Sequence, residues 1–150
     1  MREWQWVADV AAALLLLVLL YAVWLIVRRR LISRHGGTFE FSVRVRPPSE
    51  GGAGRGWVLG VGRYSGDVLE WFRIFSVVPR PAMTWQRATL AFDGRRDPEG
   101  AETYSLYQGH VIALCHTAAG PVEVAMDPAA LTGFLAWLEA APPGQQLRTR

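Results

Sequence analysis

The sequence predicts a membrane-anchored, mainly β protein: one transmembrane helix, then a single domain of seven strands closed by a C-terminal amphipathic helix. Three observations predict it. An unbroken apolar run of 21 residues, Val7–Val27, lies near the start of the chain. Alternating apolar and polar residues, separated by Gly- and Pro-containing turns, fill the middle. From Asp127 onward the apolar period becomes helical.

The apolar run carries Asp9 as its one charge. At about 1.5 Å per residue it spans roughly 30 Å, the thickness of a bilayer's hydrocarbon core. Trp4 and Trp6 flank one end and Trp24 the other, as interfacial aromatic residues do. A cleaved signal peptide would want a basic start, a shorter apolar run and a small-residue cleavage site. Here the run ends in Arg28-Arg29-Arg30 instead. A core helix of this length would show polar positions. Arg28, Arg29, Arg30 and Arg34 read as a topology signal that also contacts anionic lipid, and the positive-inside rule places their side in the cytoplasm, with the short N-terminal leader outside the cell membrane. The expected organisation is an anchor at 1–34, with its helix at about 7–27, and a cytoplasmic β domain at 35–150.

Within the domain, Phe39, Phe41, Val43 and Val45 alternate with Glu40, Ser42, Arg44 and Arg46, the period of a half-buried strand. A loop rich in Pro and Gly follows Arg46. Further strands are expected at Trp57–Tyr64, Val68–Val78, Thr84–Phe92, Thr103–Tyr107, His110–Thr117 and Val122–Met126, with residues 94–102 an exposed charged loop. Asp127 suits an N-cap and Pro128 the first helical position. Leu131, Phe134, Leu135 and Leu138 then form one apolar face of a helix at about 128–141, stopped by Pro142-Pro143-Gly144. Seven strands followed by one amphipathic helix is the element order of a pleckstrin-homology-like barrel, with a β-sandwich as the alternative.

The stretches Gly56–Tyr64 and Leu69–Arg73, together with the N-terminal apolar helix and its Arg-rich stop, resemble an actinobacterial family of membrane-anchored proteins whose domain has no assigned function. The resemblance covers nearly the whole chain. It implies a membrane location and this architecture, and a gene neighbourhood beside the ATP synthase subunits. It implies no catalytic residues.

Charge narrows the function classes. All 16 basic residues are Arg. Residues 28–46 carry a net charge of +5, whereas 47–150 carry −1, so the basic character belongs to the juxtamembrane stretch. That distribution argues against a nucleic-acid-binding surface. His35, His110, His116 and Cys115 show no metal-ligand spacing, and the neighbours Cys115 and His116 should point to opposite faces of a strand. Gly60-Val61-Gly62 leads from strand to hairpin, not into a helix, so it is no dinucleotide fingerprint. No cofactor, metal site or catalytic residue is expected.

What remains are surfaces. Arg44, Arg46, Arg55 and Arg63 would share the first two strands and their loop, a candidate patch for an anionic lipid headgroup. Trp71, Arg73, Trp85 and Arg87 would share neighbouring strands, a candidate patch for a protein partner, although such Trp residues also fill small cores. The sequence therefore favours a non-enzymatic, membrane-tethered binding module. Its partners would be lipid and a membrane protein, the ATP synthase by family resemblance alone. Headgroup sensing and an unspecified enzyme are the alternatives.

Overall fold

The computed structural model describes residues 2–33, 37–46 and 54–140. Arg34 and His35, the loop at 47–53 and the Pro142-Pro143-Gly144 stop lie outside the described residues. The chain forms two compact units, 1–35 and 36–150.

The first unit is a helix, α1 (Arg2–Ser33), longer at both ends than the apolar run. Its stretch Trp4–Leu31 is long and apolar enough to cross a membrane. The large side chains from Leu14 to Leu20 are exposed all round it, so the helix has no polar face and no narrow apolar stripe. A helix apolar on every side suits a lipid surrounding.

The second unit is two antiparallel sheets and a helix. Its strands are β1 (Thr38–Glu40), β2 (Ser42–Arg44), β3 (Trp57–Val58), β4 (Gly60–Ser65), β5 (Val68–Arg73), β6 (Met83–Gln86), β7 (Ala91–Arg96), β8 (Val111–Thr117) and β9 (Gly120–Met126). A short helix, α2 (Glu102–Ser105), precedes β8, and α3 (Pro128–Glu139) follows β9. One sheet runs β1-β4-β5-β6 and the other β3-β2-β9-β8-β7. The sheets are not closed into a barrel, so the sandwich form of the expectation holds.

Two of the expected strands serve both sheets. The first breaks at Phe41 into β1 and β2, and the second breaks at Leu59 into β3 and β4. At this corner Phe41 N–H donates to the Gly60 carbonyl at 3.0 Å, and the Trp71 indole N–H donates to the Phe41 carbonyl at 2.7 Å. Gly60 is required there: a Cβ on it would stand 2.1 Å from Trp71 Nε1. The core gathers around this point, with Phe41, Val43, Leu69, Trp71, Ala113, Met126 and Phe134 buried.

Helix α3 closes the sandwich. Asp127 caps it, accepting from Ala130 N–H at 2.7 Å, and Leu131 and Phe134 face the core. Farther along, Trp137 donates from Nε1 to the Gly66 carbonyl of the β4–β5 turn at 2.9 Å. Arg87 lies over the Trp137 ring at 5.1 Å and pairs with Asp67.

Four expectations fail. The strand expected at Thr103–Tyr107 is the helical turn α2, because Gly100 at φ +55° starts a turn and Glu102 N–H bonds back to the Glu99 carbonyl at 3.1 Å. The strand expected at Thr84–Phe92 is broken by a 3-10 turn at Arg87–Thr89, and its halves join different sheets. Its second half, β7, runs to Arg96 within the expected loop, through a bulge between Phe92 and Gly94. The strand expected to reach Val78 ends at Arg73.

Two glycine substitutions should separate. Gly133 lies inside α3 with open space around it. Gly133→Ala should stabilise the body by about 0.5–1 kcal/mol. Gly60→Ala should destabilise it by about 1–3 kcal/mol, through the indole clash. Thermal unfolding of the full-length protein in detergent, followed by near-UV circular dichroism, reads both signs.

Candidate binding surfaces

The face of the β3-β2-β9-β8-β7 sheet turned away from the core carries a charged cluster. Strand register places Trp57 beside Arg44, Arg44 beside Glu123 and Glu123 beside Leu114, all on this one face. Arg96 on β7 and Glu102 on α2 complete the group. Arg44 Nη1 lies 3.0 Å from Glu102 Oε1 and pairs closely with Glu123. Arg96 reaches Glu102 with both guanidinium nitrogens, at 2.6 and 2.9 Å, and Glu123 at 3.0 Å. Trp57 lies under the Arg44 guanidinium at 5.2 Å and donates to Glu102 at 3.4 Å.

The Glu102 side chain is 3% exposed. A carboxylate so buried is stable only when paired and hydrogen-bonded. The Arg96 hydrogen bonds hold its carboxyl at about 2, against burial, with help from Glu99 N–H and the Trp57 indole. The cluster fastens α2 to the sheet. Ser105 adds a hydrogen bond from Oγ to the Gly54 carbonyl at 2.7 Å, and Leu106 packs on Ile112 and Ala125. These charges hold one another, and the arrangement is structural.

The proposed lipid patch does not assemble. Arg44 belongs to the buried cluster. Arg63 faces Glu70, its direct cross-strand neighbour, at 2.6 Å, with its guanidinium over Phe72. Arg46 and Arg55 are exposed at the β2–β3 end. Arg28, Arg29 and Arg30 lie on α1 beyond the apolar run.

The proposed partner patch does not assemble either. Trp71 is fully buried, because it shares strand parity with Leu69, which faces the core. Trp85 pairs with Leu69 in register and packs edge-on against Phe41 at 6.0 Å, half-buried. Arg87 is held by Asp67 and Trp137, and Arg73 alone of the four is exposed.

Of the reactive groups, Cys115 is buried, and its thiol is pushed up to about 12 by burial and then by Asp93. His116, on the opposite face, is exposed beside Asp93 at 3.2 Å. His110 is buried with Nε2 3.3 Å from Glu40. Among the described residues no group of three or more His, Cys, Asp or Glu is placed to hold a metal ion.

Sequence reasoning missed the most exposed apolar segment of the body, the β5–β6 loop, by extending the third strand through it. There Phe75 is 82% exposed, Val77 55% and Val78 54%. The signal was present: Val77-Val78-Pro79-Arg80-Pro81 is apolar, yet has neither alternation nor the backbone donors of a strand.

Among known proteins, the family described as "Protein of unknown function (DUF2550)" matches residues 15–144. The chain belongs to the DUF2550 family. An uncharacterized Mycobacterium tuberculosis protein, Rv1312, is 32% identical over 140 residues, covering 91% of this chain and 88% of that one. An uncharacterized Mycobacterium leprae protein, ML1147, is 31% identical over 114 residues, covering 73% and 74%. No solved structure matches. The actinobacterial resemblance read from the sequence is thereby confirmed, and within DUF2550 the described architecture is an apolar helix followed by a two-sheet body.

The buried cluster has a pH signature. A carboxyl depressed on folding stabilises fully above its unfolded value of 4.5, and this contribution fades as the pH falls from there towards 2. Glu102→Gln should cost about 3 kcal/mol at neutral pH, because buried Arg44 and half-buried Arg96 would keep their charges with one carboxylate fewer. The variant should also lose stability less steeply through that acid window. Denaturant unfolding of both proteins across the window checks both effects.

Proposed function

We propose that this protein is a non-catalytic, membrane-tethered binding module. Helix α1 holds the body at the inner leaflet, and the body presents the β5–β6 loop to a second component at the membrane. The exposure of Phe75, Val77 and Val78 carries this reading. The body's other aromatic residues are buried or pack against the buried clusters, Tyr104 and Tyr107 excepted, and large apolar side chains left together in water mark an interaction site. The orientation rests on Arg28, Arg29 and Arg30 following the apolar run. Tethering raises the effective concentration of the body for anything at the membrane surface, so a small contact area suffices. A membrane complex is the natural protein partner, with the ATP synthase the first to test because of the gene neighbourhood that the family resemblance implies.

The test places a photocrosslinking residue at Phe75 of the full-length protein in its native membrane, with the same probe at Ala119, an exposed position on the β8–β9 turn. The module reading expects adducts at position 75, with protein or lipid, at about tenfold the yield at 119. Equal, low yields at both positions would refute it.

A further inference from the structure

We infer that the β5–β6 loop inserts its apolar tip into the interfacial layer of an anionic bilayer, so that the body holds the membrane at a second point besides α1. This rests on the module reading above and names the component that the loop meets.

The first observation is the loop's chemistry. Its tip presents Phe75, Val77 and Val78. From residue 71 to 92 the chain holds Arg73, Arg80 and Arg87 and no acidic residue. Arg73 and Arg80 are exposed at the two flanks of the tip, Arg73 with its guanidinium 5.9 Å from the Trp71 ring. An apolar wedge bordered by Arg suits an interface whose interior is hydrocarbon and whose headgroups are negative. The long Arg side chains can lie along the apolar boundary and keep their charges among the phosphates.

The second observation is the loop's backbone. Entering a poorly hydrated layer is costly for each N–H left without a partner. Of the nine backbone nitrogens from Ile74 to Ala82, four donate within the protein: Ile74 to the Leu59 carbonyl, Ser76 to the Arg73 carbonyl, Val78 to Ser76 Oγ and Ala82 to the Trp71 carbonyl. Two more belong to Pro79 and Pro81 and carry no hydrogen. A segment that docked by adding a strand to a partner's sheet would instead present a row of open donors. Bonds at Ile74 and Ala82 also pin the loop's base, so its tip projects from a fixed stem.

The third observation is reach. α1 ends at Ser33 and β1 starts at Thr38, a connection of at most roughly 18 Å when extended. The helix continues about 9 Å beyond Val27. The short covalent connection therefore keeps the body close to the headgroups, where even a weak contact is favoured.

The test uses the full-length protein alone, in nanodiscs with about a third anionic lipid. An environment-sensitive fluorophore is attached at Val77→Cys, with Ala119→Cys as the reference site. Cys115 is buried and its thiol stays protonated, so the unsubstituted protein should take no label. Lipids carrying a nitroxide on the acyl chain should quench the label at 77 at least about twofold more than the label at 119. Arg80→Glu should reduce that quenching in anionic nanodiscs, and purely zwitterionic nanodiscs should do the same. Equal quenching at 77 and 119 overturns the inference. Crosslinks from Phe75 to a protein would then leave the module reading standing, and their absence would remove both. Quenching that is unaffected by Arg80→Glu and by lipid charge overturns the anionic part of the inference.

Discussion

The body depends on one corner. Where two strands pass from one sheet to the other, the backbone must leave its ladder, and a carbonyl in the core would be left without a donor. An unpaired buried carbonyl costs about 1–3 kcal/mol. The Trp71 indole meets that need at Phe41, and the absence of a side chain at Gly60 lets it approach. Phe39 and Phe41 then pack edge-on at 5.4 Å, and Phe39 stacks on Tyr64 at 5.0 Å. Tyr64 in turn meets Trp137 of α3 at 5.1 Å. The indole hydrogen bond and this chain of ring contacts link the corner of the two sheets to the closing helix.

The charged cluster works on the opposite face of the other sheet. Four ionised groups are tolerated there because each carboxylate meets both guanidinium groups. Their joint effect is to hold a short helical turn that has only four residues and no side-chain cap of its own. The tip of the β5–β6 loop instead exposes Phe75, Val77 and Val78. A body fixed at its corner and at its cluster, with one apolar loop left in water, has the form of a rigid support presenting a contact.

The sequence reveals much of this through period. The 21-residue apolar run is legible as a helix long and apolar enough to cross a membrane, and the alternation from Phe39 to Arg46 fixes which residues face the core. Asp127 and Pro128 mark the start of α3 at the residue where it begins. What stayed illegible depends on distant partners. Alternation continues through Phe41 although the strand changes sheets there, because side-chain parity does not record which neighbour the backbone bonds. Thr103–Tyr107 has strand-forming residues, yet a turn begins at Gly100 and the pairing of Glu102 with Arg44 and Arg96 fastens it to the sheet. Arg44 and Arg63 look like free surface charge until register brings Glu123 and Glu70 beside them. Trp71 looks like a contact residue until its parity with Leu69 is known.

We propose that α1 anchors the folded body on the cytoplasmic side of a membrane. Protease accessibility in oriented vesicles reads that arrangement. In right-side-out vesicles the body should be protected, and in inverted vesicles it should be removed while the α1 fragment stays in the bilayer through an alkaline wash. Digestion of the body from the outside, or release of the intact chain by the wash, would rule this arrangement out.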